Sequence, residues 1–186
     1  MTRPVLRWTT FVLFVAVLLT AAYLVWTNNS AFNSLNTSAG VFDRRAGSMT
    51  RSVMELRMAQ QAYVAAGQGD EFWGSKVATQ IVGLRDEFAA LRTMTVLPEA
   101  QTEIDEAIAA LGDFERMDAR AKEYARGNQR LLASDLIFSD GLEKTSHMLD
   151  AVQAARTVEA GRIDALRRSA RQKELLFAGG TAAAAL

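Results

Sequence analysis

Cysteine is missing altogether, which excludes disulfides, thiolate nucleophiles and thiolate metal sites. There is one histidine, His147, too little for a zinc site that has no thiolate to draw on. Proline occurs only as Pro4 and Pro98. Alternating β-branched runs are absent after residue 26, and with helix breakers so scarce an all-α fold follows. Net charge is absent as well, because 21 basic and 21 acidic residues cancel. No Lys/Arg cluster supplies the electrostatic footprint that nucleic acid requires, so nucleic acid is not expected as a partner. Gly-rich phosphate loops, zincin motifs and nucleophile elbows are also missing. Neither catalysis nor a metal or other cofactor is therefore expected of this chain.

Apolar residues are abundant, at 49%, and their longest run extends from Trp8 to Trp26 with only Thr9, Thr10 and Thr20 as polar members. About 19 residues at 1.5 Å each make a helix of roughly 28 Å, close to the ~30 Å hydrocarbon core of a bilayer. Trp at both ends suits an interfacial aromatic belt. The rival reading is a cleavable signal peptide, with Thr20, Ala21 and Ala22 as small residues, but its apolar core spans only about 7–15 residues. Arg3 and Arg7 precede the run, and basic flanks stay cytoplasmic, which places the N-terminus inside. Arg167, Arg168, Arg171 and Lys173 oppose this, with less force because a long domain intervenes.

Beyond the anchor, Phe32, Leu35, Ala39, Phe42, Ala46, Met49, Val53, Leu56, Gln60 and Tyr63 alternate in steps of three and four. This heptad pattern belongs to a packed helix. No breaker separates it from Trp26, so the membrane helix is expected to run straight into it. Gly67 to Gly69 ends this helix and Asp70 caps the next, which carries Val77, Ile81, Leu84, Phe88 and Leu91. Pro98 with Glu99 starts a third helix, striped by Ile104, Ile108, Leu111, Phe114, Ala121 and Tyr124 and closed by Gly127 and Asn128. A fourth helix is expected from Gln129 onward, with Phe138, Leu142, Leu149, Val152, Ile163 and Leu166 as its stripe and a possible bend at Gly141.

The result is a membrane-anchored antiparallel four-helix bundle whose helices one and four are continuous with transmembrane helices. Residues 1–7 form a cytoplasmic N-terminus, 8–26 the first transmembrane helix, 27–174 the extracytoplasmic bundle and 175–186 the start of a second transmembrane helix. That last segment is apolar but only about 18 Å long as a helix; Ala178, Gly179 and Gly180 followed by Ala182 to Ala184 form a small-xxx-small pattern. A low-complexity tail is the alternative. Helices one and four outlast two and three by some 15 residues, roughly 22 Å, which makes a two-helix stalk above the membrane.

Two membrane helices bracketing such a bundle resemble the sensor half of bacterial chemoreceptors and related sensor kinases. The segment MELRMAQQAYVAAGQGDEFW is similar to the helix one to two junction of those modules, and EYARGNQRLLASDLIF to their helix three to four junction. The resemblance implies a homodimer in the bacterial inner membrane, with its bulk in the periplasm, feeding a cytoplasmic output module that this chain lacks. It makes the chain the sensor region of a chemotaxis-type or histidine-kinase-type receptor. A non-sensory membrane-anchored helical assembly or spacer is the alternative.

Polar residues interrupt the expected seams: Gln60 on helix one and Asp135, Thr145, Arg156 and Glu159 on helix four. Buried polar groups need partners. Counting along the two helices sets Arg156 level with Arg45, and Glu159 level with Phe42 and Asp43, as a candidate ion-pair layer. Arg51, Arg57, Gln60, Gln61 and Tyr63 form a guanidinium and amide set suited to a small anionic ligand such as a carboxylate; a periplasmic partner protein is the other candidate stimulus. The carboxylates Glu103, Asp105, Glu106, Asp113, Glu115 and Asp118 with Arg116 and Arg120 read as a solvated, salt-bridged face, and His147 as a surface or seam residue. Asn28 and Asn36 open N-x-S sequons and read as polar stalk positions.

Overall fold

Apolar residues recurring at helical spacing, with almost no proline to interrupt them, give a chain whose described regular structure is entirely helical. The computed structural model describes residues 40–62, 64, 65 and 70–184, with side chains in that last stretch from Glu71 to Gln172, and six earlier positions: Trp8, Val15, Leu19, Thr20, Tyr23 and Thr37. Two compact units are present, Met1–Ser38 and Ala39–Leu186. In the first, every described position is helical, and Trp8, Leu19 and Tyr23 are 71%, 66% and 63% exposed. Most of the apolar run over 8–26, the junction to the bundle, and the seam positions Phe32, Leu35, Ala39 and Tyr63 lie outside the described residues. Among the described residues no helix is long and apolar enough to cross a membrane.

In the second unit, α1 covers residues 40–62, α2 Asp70–Met94, α3 Pro98–Arg126, α4 Arg130–Phe138 and α5 Asp140–Ala184. The seam of α1 is as expected: Phe42, Ala46, Met49, Val53, Leu56 and Gln60 are all buried. So is the α2 stripe of Val77, Ile81, Leu84, Phe88 and Leu91. On α3, Ile104, Leu111, Phe114 and Ala121 are buried, joined by Ala100, Ala107, Ala110 and Met117, while Ile108 and Tyr124 are half-buried. Phe88 and Phe114 are fully buried, each stabilising the fold by about 1.5–3 kcal/mol relative to exposure. Neighbouring helices run antiparallel: Arg85 of α2 meets Glu115 of α3 and Arg92 meets Asp105, while Asp43 of α1 meets Arg156 of α5.

The expected fourth helix departs most from expectation. It is two helices, α4 and α5, divided at Ser139 rather than at Gly141. The Ser139 N–H and its hydroxyl both donate to the Asp135 carbonyl, at 2.9 and 2.6 Å, a back-bonding arrangement that bends helices. The buried face also differs. Phe138, Leu142 and Leu166 are exposed, and the core side is made by Ala133, Leu136, Ile137, Gly141, Thr145, Met148, Val152, Ala155, Glu159 and Ile163. At Gly141 α5 lies close against α1 and α3; a Cβ there would stand 2.8 Å from Gln60 Oε1 and 3.3 Å from Met117 Cε.

Candidate functional site

Of the five residues nominated as ligand donors, the four that are described are not gathered in one place. Arg51 is exposed, Arg57 and Gln61 are half-buried one turn apart, Gln60 is fully buried, and Tyr63 is outside the described residues. Nine residues separate Arg51 from Gln60, about two and a half turns, so they point to opposite sides of α1. Neither Arg51 nor Arg57 has an ion-pair partner among the described residues.

Gln60 belongs to a buried polar node instead. Its Nε2 donates to Asp118 Oδ1 at 2.9 Å, and Lys122 Nζ lies 2.6 Å from Asp118 Oδ2. Asp118 is only 2% exposed, so it is not part of the solvated acidic face expected of helix three. Three other acids of that face are ion-paired at the surface: Asp105 to Arg92, Glu115 to Arg85 and Asp113 to Arg116. The missed signal was spacing, because Asp118 follows Phe114 by four and precedes Ala121 by three, squarely on the apolar stripe. Gln60 Oε1 is buried without a hydrogen-bond donor among the described residues, and it faces Gly141. Thr145, also buried, donates its hydroxyl to the carbonyls of Gly141 and Leu142, at 2.8 and 3.1 Å. The node thus ties α1 to α3 beside the start of α5.

A second node lies at the other end of α3. Leu97, the N-cap of α3, has no side-chain cap of its own, and α5 supplies one: Glu159 Oε1 accepts from the N–H groups of Val96 and Leu97, at 2.9 and 3.3 Å. Glu159 Oε2 accepts from Arg162 Nε at 2.8 Å. Burial pushes the Glu159 carboxyl up, but the Val96 N–H, the Arg162 guanidinium and the Leu97 N–H outweigh it and leave the group below its ordinary range. Thr95 closes the turn through its hydroxyl to the Arg92 carbonyl at 2.6 Å, and Gln101 Nε2 donates to the Thr95 carbonyl at 3.2 Å. The expected ion-pair layer forms in part: Arg156 donates to Asp43 Oδ1 through Nη2 at 2.5 Å and Nε at 3.0 Å, while Glu159 turns to the α2–α3 connection rather than to α1. Asp135 is exposed.

His147 is exposed on α5, and among the described residues no group of three or more His, Cys, Asp or Glu could hold a metal ion. What the arrangement does chemically is hold helices in register through buried, hydrogen-bonded polar groups. Comparisons with protein-family models, with characterised proteins and with solved structures returned no match.

Proposed function

We propose that this chain is the sensor region of a membrane-bound signalling receptor of the bacterial inner membrane, with the bundle on the periplasmic side. It passes a stimulus through displacement of α5 against its neighbours to a cytoplasmic output module that the sequence does not contain. The observation that carries this reading is α5 itself. One helix of 45 residues is bonded to α1 through Arg156 and to the α2–α3 turn through Glu159, so its movement is felt by both. Interdigitated helices with buried polar contacts occupy discrete arrangements, the requirement for a switch. The membrane part rests on the apolar run from Trp8 to Trp26, whose Trp8, Leu19 and Tyr23 are exposed, Trp and Tyr being enriched at membrane interfaces. The receptor acts as a homodimer, and its stimulus is a small anionic molecule or a partner protein. A spacer role is the second reading, favoured by the dispersal of Arg51, Arg57 and Gln60 over different faces of α1.

The test is topology joined to response. Asp113→Cys, on the outer side of α3, is expected to react with a membrane-impermeant thiol reagent in intact cells; labelling only after lysis overturns the periplasmic assignment. In the reconstituted full chain, an organic acid or amino acid that raises the melting temperature is expected also to change amide exchange at Val96 and Leu97. No response to any panel member or to periplasmic extract favours the spacer.

A further inference from the structure

Burial along α5 stops at Ile163; from Asp164 to Gln172 every side chain is exposed except half-buried Ala170. This stretch therefore serves no core, yet it is not an ordinary mixed surface. It holds Arg167, Arg168 and Arg171 against a single acid, Asp164, which lies 3.4 Å from Arg167, an exposed pair of little energetic weight. Arg168 and Arg171 have no ion-pair partner among the described residues. At 100° per residue the three arginines fall within about 100° of one another and within about 6 Å along the axis. The helix continues beyond them to Ala184 through LLFAGGTAAA, which contains no charge.

We infer that this arginine band binds the anionic phospholipid headgroups of a bilayer surface, an inference that rests on the membrane-bound reading above. Guanidinium forks match phosphate oxygens in bidentate fashion, and arginine stems can lie along apolar surface while the head reaches the phosphate layer. The axial extent of the band matches a headgroup region of roughly 5–8 Å per leaflet, and the uncharged end of α5 suits the layer beneath. A linear polyanion would need a basic track along the helix, whereas Asp164 and Glu174 bracket this band closely.

The experiment uses the full chain with neutral phosphatidylcholine vesicles and with vesicles containing phosphatidylglycerol. Arginine modification by phenylglyoxal is mapped by mass spectrometry, and flotation is measured in parallel. Modification of Arg168 and Arg171 is expected to slow about fivefold in anionic relative to neutral vesicles, with recovery at high salt and no change at Arg51. Equal rates in both vesicle types overturn the inference, as does equal protection by soluble glycerol phosphate without vesicles. Flotation with neutral vesicles tests the membrane-bound reading separately. Should that fail, flotation selective for anionic vesicles and lost in the R168Q/R171Q variant still supports the band, and no flotation with either overturns it.

Discussion

Gly141 is the position at which one methyl group acts most strongly. Glycine within a helix normally costs about 0.5–1 kcal/mol relative to alanine, and Gly83, where a Cβ would meet nothing within 4 Å, is expected to behave so: Gly83→Ala raises stability by that amount. At Gly141 the new Cβ would stand 2.8 Å from Gln60 Oε1. Gln60 cannot retreat without weakening its bond to the Asp118 carboxylate, and a hydrogen bond to a charged group is worth about 1.5–3 kcal/mol. Gly141→Ala is therefore expected to destabilise by about 1–2 kcal/mol despite its helix propensity. Denaturant unfolding of the two variants checks this, and equal signs at both positions would dismiss the Gln60 contact as a constraint. Gln60 could be recognised in the sequence as a polar break in a seam, whereas its partner Asp118 sits among acids of the same helix and only its spacing from Phe114 and Ala121 separates it from them.

At the scale of elements, the sequence was legible wherever large apolar residues define the buried face. The α1 and α2 stripes and the bounds of α3 follow from spacing and from Pro98 and Gly127. The end of α3 is a Schellman turn, with Gln129 N–H to the Tyr124 carbonyl at 2.8 Å and Asn128 at φ 59°. The α4 and α5 stripe holds at Val152 and Ile163 but not at Phe138, Leu142 and Leu166, because bulky apolar residues also stand on the exposed side while alanine, threonine and glutamate share the buried side with Leu136, Ile137 and Met148. Glu159 shows what such a residue does, since the α2–α3 turn has no cap of its own. Its carboxyl is lowered in the folded state, so its contribution is complete above the unfolded value near 4.3 and is lost as pH falls through the lower folded value. Glu159→Gln is expected to cost about 1–3 kcal/mol at pH 7, and the gap from the parent should close in strongly acidic buffer. Unfolding measured at both pH values decides it; a gap unchanged by acid would assign the effect to shape rather than charge.

For the whole molecule, the question is which surface a second copy covers. Phe42, a heptad position of the first helix, is buried inside the bundle and so is not available to a second copy. α1 has a second stripe facing outward. Gly47, Arg51, Met54, Met58 and Gln61 alternate in steps of four and three, all exposed or half-buried, and Met54 and Met58 are 49% and 60% exposed. Heptad spacing on an outer face is the pattern of helix-on-helix packing, flexible methionine adapts to a facing copy, and Gly47 has room for close approach, with no atom within 4 Å of an added Cβ. The proposed homodimer is therefore expected to pack through this face of α1. Single cysteines at Gly47, Met54 and Met58 should form disulfide-linked dimers in membranes under mild oxidation, whereas Ser48→Cys and Glu55→Cys, displaced around the helix, should crosslink less. Even crosslinking across all five, or a monomer in every case, would remove α1 from the interface.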